Sequence, residues 1–458
     1  MFQQTKRLAE IIRVIFKYRL YTLLQTAGFN NTDNAVNLTL AFEELGTLFI
    51  KLGQILSTRH DLVSFEFAKE LSKLQDNVKP FPNEMAHAII KKELNQDYHT
   101  IFSEFSDQPM ASASVAQVYS AKIANEEVVV KILRPNLIKY IQKDLRLLKF
   151  LIKIILKLSS ELKRFKPEEL LVELERVLAD EQDLQREAAN ASQLRRNFIQ
   201  NNLLYIPKVY WKYSSKNILV LERIRGISIN NIDELKAKNV DLHLLAKRGV
   251  ELFFTQVFEH CLFHGDLHPG NIFVNAANPL NPTFYAVDFG IMGSLGPKEQ
   301  HYLAHNLWAF LNRDYRRIAE LHIESGWVDP HTRVDLFESA IRTVSEPILE
   351  MPVAEISFGK LLVKLFDVAK GYNMQLQPQL LVFKKSLINV ESIARRLDPD
   401  LDLWATSRPF VEKWMRNQLG FSALMNKLKT SAPNWSKIIT DTPDLIFTYL
   451  NQKVESKN

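Results

Sequence analysis

The chain has 458 residues, 46% of them hydrophobic, and its net charge of +6 corresponds to a pI near 9.0. This length predicts two to three folding units with sizeable cores. The positive charge is mild and spread out, without a platform of aromatic and basic residues, which argues against nucleic acid as a partner. The single cysteine, Cys261, excludes an intramolecular disulfide and fits a reducing compartment.

Residues 1–105 are predicted to form a helical extension. Apolar residues recur there at helical spacing and leave Lys51 and Gln54 on other faces, while Gly53 permits a close helix contact. The apolar positions are Phe42, Leu45, Phe49, Leu52 and Leu56. On this pattern alone, Lys51 and Gln54 lie on the surface of an ordinary amphipathic helix.

Residues 106–224 are predicted to form a small mixed lobe. No glycine lies between Gly53 and Gly226, so a glycine-rich phosphate loop is absent from the sequence. A run of small residues takes its place, and such residues let backbone amides approach a phosphate. The predicted nucleotide-binding residues of this run are Ala111, Ser112, Ala113, Ser114, Val115, Ala116 and Gln117.

A β-branched run at residues 126–133 predicts a strand that carries Lys131. Lys131 is predicted to contact the α- and β-phosphates of ATP and to pair with a glutamate, for which we choose Glu187 in the helical stretch 180–190. Glu187 follows more than fifty residues later, which indicates an insertion. The alternative is a lysine at the end of an exposed strand.

Within this insertion, residues 147–158 predict an apolar helix with Lys149, Lys153 and Lys157 on one face. Such a helix suits an anionic membrane surface, and it equally suits a helix that packs on the protein with its lysines in water. No stretch reaches the roughly 18 to 20 uncharged apolar residues of a membrane-spanning helix.

Residues 218–224 predict a strand that leads into a hinge, where the backbone of Leu221 and Glu222 is expected to contact adenine. Gly226 then lets the chain turn into a second lobe. This lobe, residues 225–458, is predicted to be mainly α.

The most informative motif is His264-Gly-Asp-Leu-His-Pro-Gly-Asn271, followed by Asp288-Phe-Gly290. Two short strands, at 272–274 and 284–287, are expected to bring Asp288 back to the first motif. Asn271 and Asp288 supply oxygen ligands for Mg²⁺, and Asp266 is expected to orient or deprotonate a nucleophile.

Zinc is the competing chemistry, because five potential ligands lie within nine positions. They are His260, Cys261, His264, Asp266 and His268. Zinc would not explain Asn271 or Asp288, and His264 serves equally well as a packing residue that braces the loop.

These motifs together resemble the UbiB family of atypical kinase-like proteins. The family motifs correspond to Lys51-Leu-Gly-Gln54, residues 111–117, Glu181-Gln-Asp183 and the segment 264–271, and the resemblance runs from about Ala41 to the C-terminal region. It implies an α+β, bilobal, protein-kinase-like fold. It also implies that Lys51 and Gln54 lie over the active site, with Lys51 near the regulatory carboxylates of Glu181 and Asp183, where they obstruct a protein substrate.

The expected function is an ATPase or kinase that binds ATP and Mg²⁺ and supports ubiquinone biosynthesis. The expected partners are isoprenoid intermediates and their enzymes. The chain is expected to bind peripherally to the anionic cytoplasmic face of the bacterial inner membrane. A homodimer is an alternative to a monomer. Family members usually end in a hydrophobic hairpin, which this sequence lacks, so it is a natural short form or a truncated one.

Two alternatives remain. One is a kinase of small molecules such as choline or aminoglycosides, which Lys51-Leu-Gly-Gln54 argues against. The other is a non-catalytic ATP-sensing scaffold, which the intact set of Lys131, Asp266, Asn271 and Asp288 argues against. A peptide substrate is doubtful, since no Ala-Pro-Glu follows Asp288-Phe-Gly290.

Overall fold

The computed structural model of the chain describes a defined part of its length. The described residues are 2–24, 32–58, 62–74, 80–113, 115–135, 137–158, 167–351, 357–372, 374 and 377–419. Ser114, one of the predicted nucleotide-binding residues, and the C-terminal segment from residue 420 onwards lie outside them.

Helices occupy the N-terminal region, as predicted. They are α1 (Phe2–Lys17), α2 (Thr32–Leu45), α3 (Thr47–Thr58), α4 (Phe65–Leu71), α5 (Asn83–Leu94) and α6 (Tyr98–Ile101). Gly46 separates α2 from α3 with a φ of +90°, a conformation that suits glycine after the end of a helix. The apolar stripe seen in the sequence is therefore divided between two helices.

The next region contains an antiparallel sheet and the inserted helices. Its elements are β1 (Glu104–Phe105), β2 (Ala111–Ser112), β3 (Ala116–Ile123), β4 (Glu126–Leu133), α7 (Leu137–Leu158), α8 (Pro167–Glu181), α9 (Leu184–Asn197), β5 (Leu204–Tyr205) and β6 (Ile218–Glu222). The strand order is β1-β3-β4-β6, and β2 pairs with β3. Helices α7 and α8 account for the long interval between Lys131 and Glu187.

The inserted helices share a core with the N-terminal extension. Phe67 and Leu71 of α4 and Leu174 and Leu178 of α8 are at most 1% exposed and belong to one apolar cluster. The extension therefore packs on the segment that leads from α8 towards Glu187.

The C-terminal region is mainly helical. It contains β7 (Ile227–Ser228), α10 (Ile232–Ala237), α11 (Leu242–Phe258), β8 (Leu262–His264), β9 (Ile272–Asn275), β10 (Thr283–Ala286), β11 (Met292–Ser294), α12 (Pro297–Leu311), α13 (Tyr315–Glu324), α14 (Val334–Leu349), α15 (Phe358–Gly371), α16 (Pro378–Leu397) and α17 (Leu403–Leu419). One sheet has the order β5-β10-β9-β7, and β8 pairs with β11. The predicted α+β class, with a small mixed lobe and a mainly α lobe, is confirmed.

Candidate active site

The loop of residues 264–271, here called the HGD loop, joins β8 to β9. The Asn271 side-chain amide donates to the Asp266 carbonyl at 3.2 Å, which brings the two residues into one turn. The His268 side chain accepts from the Gly270 amide at 3.0 Å and caps the short 3-10 helix Pro269–Asn271. The sequence spacing of five therefore corresponds to a compact turn with both side chains in it.

His264 braces the HGD loop from within. It is 1% exposed, and burial lowers its pKa, so the imidazole is neutral. Its Nδ1 accepts from the Asp266 amide at 3.2 Å, which leaves the proton on Nε2, 3.3 Å from the Val287 carbonyl. The histidine thus ties Asp266 to the residue just before Asp288.

The hairpin of β9 and β10 returns the chain to the HGD loop. Ile272 pairs with Ala286, and the Val287 amide donates to the Asn271 carbonyl at 3.0 Å. The two strands predicted here are confirmed. Asp288 follows with a φ of +62°, a left-handed conformation that aspartate tolerates better than most residues, and its Oδ1 accepts from the Gly290 amide at 3.3 Å.

Lys131 lies between two carboxylates. Its Nζ is 2.9 Å from both carboxylate oxygens of Glu187 and 3.4 Å from Asp288 Oδ2. Burial alone would lower the pKa of Lys131, but the two carboxylates raise it above its ordinary value. The lysine therefore stays charged in a buried position, and the alternative of an exposed strand end is wrong.

The carboxylates respond differently to this environment. Burial raises the pKa of Glu187, against the opposing effect of Lys131. Burial also acts to raise the pKa of Asp288, but Lys131 and the Gly290 amide outweigh it and bring the pKa to about 2. Asp288 is thus firmly ionised, and its side chain is 50% exposed.

The side chains of Asn271 and Asp288 fit the predicted magnesium ligands. Asp288 offers an ionised carboxylate that opens to solvent, and the Asn271 nitrogen is directed at the Asp266 carbonyl, which leaves its oxygen for a cation. Carboxylate and amide oxygens are the hard ligands that Mg²⁺ prefers. Their role as ligands stays a prediction.

Asp266 has a cationic partner that the sequence did not reveal. Lys385 Nζ on α16 lies 2.8 Å from Asp266 Oδ1. Burial would raise the pKa of Asp266, but Lys385 lowers it below its ordinary value. No motif surrounds Lys385, so only the packing of α16 places it at the HGD loop.

Lys51 is buried rather than exposed on a helix surface. Its Nζ lies 2.8 Å from Glu181 Oε1, and its charge also helps to lower the pKa of Asp288. Asp183 instead caps α9, accepting from the Gln185 amide at 3.0 Å. The structure therefore brings Lys51 and Glu181 together, and the alternative of an ordinary surface helix is wrong for Lys51.

Gly53 and Gln54, the second half of the Lys51-Leu-Gly-Gln54 motif, contact Leu74, which follows α4. Gln54 Nε2 donates to the Leu74 carbonyl at 3.3 Å. A Cβ on Gly53 would lie 2.2 Å from Leu74 Cδ1 and 2.7 Å from Phe42 Cδ2, so a larger residue there would displace both side chains. The close helix contact predicted at Gly53 is confirmed.

The small-residue loop forms the turn between β2 and β3. Arg134, another residue missed in the sequence, donates to the Ala113 carbonyl at 3.0 Å and to Ser112 Oγ at 2.7 Å. Gln117 is fully buried, and its Oε1 accepts from the Phe81 amide at 2.6 Å. The Gln117 side chain is therefore structural, and only the backbone of this residue is left for contact with phosphate.

At the expected hinge, some polar groups are already used within the protein. The Glu222 amide donates to the Lys208 carbonyl at 2.9 Å, and its carboxylate accepts from Tyr205 at 2.7 Å. Leu221 pairs with Val129 in the sheet. The adenine contact of Leu221 and Glu222 stays a prediction. The Glu222 amide is already hydrogen-bonded, so its carbonyl is the backbone group left for this contact.

The structure gives the zinc alternative no support. Cys261 Sγ accepts from the Gln300 side chain at 3.1 Å, and His260 packs edge-on against Phe198. Within the described residues, no group of three or more His, Cys, Asp and Glu side chains is placed to hold a metal ion.

Comparison with known proteins identifies the class. Residues 73–322 match the ABC1 atypical kinase-like domain, and residues 341–402 match the UbiB helical domain. The complex of Rv3197 with erythromycin from Mycobacterium tuberculosis shares the fold at a TM-score of 0.53 and 22% identity, covering 80% of this chain and 93% of that one. The protein is an atypical kinase-like protein, and the predicted kinase-like fold is confirmed.

Curated relatives narrow the class to a family. The chain is 52% identical to the probable protein kinase UbiB of Marinobacter nauticus, over 91% of this chain and 76% of the relative. It is 46% identical to that of Cellvibrio japonicus, over 97% and 84% respectively. The chain belongs to the UbiB family.

Proposed function

We propose that this UbiB-family chain binds ATP with Mg²⁺ and hydrolyses it in support of ubiquinone biosynthesis. The proposal rests on the position of Lys131, whose Nζ lies within 3.4 Å of both Glu187 and the ionised Asp288. A lysine held charged in this way suits the α- and β-phosphates of a nucleotide. Bound Mg²⁺ at Asn271 and Asp288 would neutralise charge on the phosphate oxygens.

The HGD loop supports hydrolysis by positioning an attacking oxygen and by accepting its proton. Lys385 lowers the pKa of Asp266, so this carboxylate is a weak base that orients an attacking oxygen by hydrogen bonding. Phosphoryl transfer demands mainly orientation and charge stabilisation, because its transition state is loose.

The segment after Asp288 favours water or a small acceptor over a peptide. Met292–Ser294 pairs with β8 as β11, and α12 begins at Pro297. The described chain therefore passes from Asp288 to a helix within a few residues, which leaves a short surface for peptide binding. The buried pair of Lys51 and Glu181 supports the same conclusion, because the charge of Lys51 acts on Asp288 and so lies close to the site.

We propose that the membrane contact is peripheral and uses α7. Phe150 and Ile154 are 56% and 39% exposed on this helix, next to exposed Lys149 and Lys153. Exposed apolar residues among lysines suit an anionic lipid surface. Lys149 also pairs with Glu175 of α8 at 2.5 Å, so Lys153 and Lys157 are the better candidates for lipid contact. In the described part of the chain, no helix combines the length and hydropathy needed to cross a bilayer.

The test is phosphate release from ATP by the purified chain, with Mg²⁺ and with excess EDTA, in wild type and Asp266→Asn. We expect Mg²⁺-dependent turnover in wild type and a loss of roughly 10²- to 10⁴-fold in Asp266→Asn, with nucleotide binding retained. Equal turnover in the two proteins would favour the ATP-sensing scaffold instead. Transfer of labelled phosphate to choline or an aminoglycoside would favour the small-molecule kinase.

A further inference from the structure

Helix α16, in the segment that matches the UbiB helical domain, contacts successive residues of the HGD loop. Ser386 Oγ donates to the His264 carbonyl at 3.1 Å, and Ser386 is fully buried. A Cβ on Gly265 would lie 2.8 Å from Val382 Cγ1, so the helix approaches the loop backbone directly. Lys385 then reaches Asp266 at 2.8 Å.

These contacts fix the position of Lys385. Val382, Lys385 and Ser386 lie on one face of α16, at the i, i+3 and i+4 spacing of neighbouring helical residues. The buried Ser386 bond and the close contact at Gly265 set the depth and register of that face against the loop. The ammonium of Lys385 is thus placed at Asp266 by two independent packing contacts.

We propose that Lys385 is a further catalytic residue, which donates to the γ-phosphoryl oxygens of ATP while it holds Asp266 in place. The proposal rests on the proposed ATPase function. An ammonium carries three N–H donors, and its pair with Asp266 uses one of them. An oxygen that Asp266 orients for attack lies next to Lys385 Nζ, and so does the phosphorus that it attacks. The side chain of Lys385 is 38% exposed, so it opens to the cleft.

The reaction balances without a further reagent. The bond between the β–γ bridging oxygen and the γ-phosphorus breaks, and a water oxygen forms a new bond to that phosphorus. The products are ADP, inorganic phosphate and one proton, which leaves the attacking water through Asp266 to solvent. Lys385 transfers no proton in this reaction and stabilises the negative charge on the phosphoryl oxygens by hydrogen bonding.

The test compares ATP and ADP. In Lys385→Met we expect kcat for phosphate release to fall by about 10²- to 10³-fold, the range for loss of one donor at a developing charge. Affinity for ATP should fall, while affinity for ADP, which lacks the γ-phosphate, should stay as in wild type. Lys385→Arg keeps the charge and should restore part of both losses.

The matched control is Lys413→Met on the adjacent α17, where an exposed lysine pairs with Glu259 at 2.6 Å. This variant should turn over as wild type. Equal losses of ATP and ADP affinity in Lys385→Met would show a structural role and overturn the proposal, and so would unchanged kcat. If Lys385→Met fails to fold, Lys385→Gln takes its place, and in that variant unchanged kcat or equal losses of ATP and ADP affinity would overturn the proposal as well.

The same assay separates this proposal from the proposed function. Wild type that neither binds ATP nor releases phosphate contradicts the ATPase function, and the role of Lys385 falls with it. Wild type that is active beside an equally active Lys385→Met contradicts the role of Lys385 alone.

Discussion

Lys51 Nζ lies 2.8 Å from Glu181 Oε1, although the two residues are far apart in the sequence, and their side chains are only 9% and 12% exposed. The pair joins α3 of the N-terminal extension to the end of α8. It therefore fixes the extension to the segment that continues into α9, which carries Glu187.

We expect Lys51→Met to destabilise the fold by about 3–5 kcal/mol, because the mostly buried Glu181 carboxylate loses the ammonium beside it. The double variant Lys51→Met/Glu181→Gln should regain most of this loss. Urea denaturation measures both. The control is Lys73→Met, which breaks a pair with Glu70 in which the lysine is 62% exposed and should change little. Equal loss in the single and double variants would contradict the importance of the pair.

Asp288→Asn should remove the dependence of nucleotide binding on Mg²⁺, because the substitution replaces the proposed Mg²⁺ ligand, an ionised carboxylate whose pKa is about 2. Calorimetric titration with ATP measures this in Mg²⁺ and in EDTA. Wild type should bind far more weakly in EDTA, and Asp288→Asn should bind weakly in both. Asp335→Asn, which removes a carboxylate exposed on α14, is the control and should behave as wild type. A variant that still responds to Mg²⁺ would place the metal elsewhere.

His322 predicts a pH dependence of stability. Burial lowers the pKa of His322 from 6.5 to about 4 in the folded chain, where its Nδ1 lies 2.8 Å from the Ile318 carbonyl. The unfolded chain takes up a proton here as pH falls below 6.5, and the folded chain does so only near pH 4. The contribution is therefore complete above pH 6.5 and is lost as pH falls from 6.5 to 4, on the order of 3 kcal/mol.

His322→Gln should flatten the fall in stability across that window, measured by urea denaturation at several pH values. His331→Gln, at an exposed position before α14, serves as the control and should retain the slope of wild type. The same slope in wild type and His322→Gln would assign the pH dependence to other groups.

The α7 proposal is tested by charge reversal. Lys153→Glu/Lys157→Glu should abolish co-sedimentation with phosphatidylglycerol vesicles, because each lysine near an anionic surface contributes about 1 kcal/mol and each glutamate is repelled. Vesicles of phosphatidylcholine alone should bind weakly in both proteins. The control, Lys236→Glu/Lys238→Glu, makes the same change of net charge at exposed positions of and after α10. Equal loss of vesicle binding in both variants would show that net charge determines binding, and not a membrane-binding face on α7.

The sequence predicted the parts of the site that local motifs specify. Asp266 and Asn271 share one turn, and the two strands of the hairpin that follows it are marked by short runs of apolar residues. Glu187 could be chosen as the partner of Lys131 because a buried lysine needs a carboxylate and its stretch is strongly helical. The long interval between Lys131 and Glu187 likewise predicted the insertion that α7 and α8 form.

The remaining contacts depend on how distant helices pack. Lys385 lies 119 residues from Asp266 in a helix whose pattern resembles that of its neighbours, so periodicity could not single it out. Arg134 follows β4 without a motif of its own, and its bonds to Ser112 and Ala113 appear only when β2 is placed. Gly46 divides the apolar stripe of the extension between two helices through its positive φ angle. The spacing of apolar residues does not predict such an angle.

Strand β5 has a consequence for any attempt to divide the protein. Leu204–Tyr205 precedes the hinge in the chain, yet it pairs in parallel with β10, whose Phe284 is 3% exposed. A gene fragment started at Gly226 would encode the helical lobe without this outer strand. It would leave β10 as a bare edge with unpaired amides and carbonyls, a surface prone to aggregation. A cut upstream of residue 204 would instead remove β6 from the sheet of the small lobe, where it pairs with β4. Neither cut therefore yields two lobes with complete sheets.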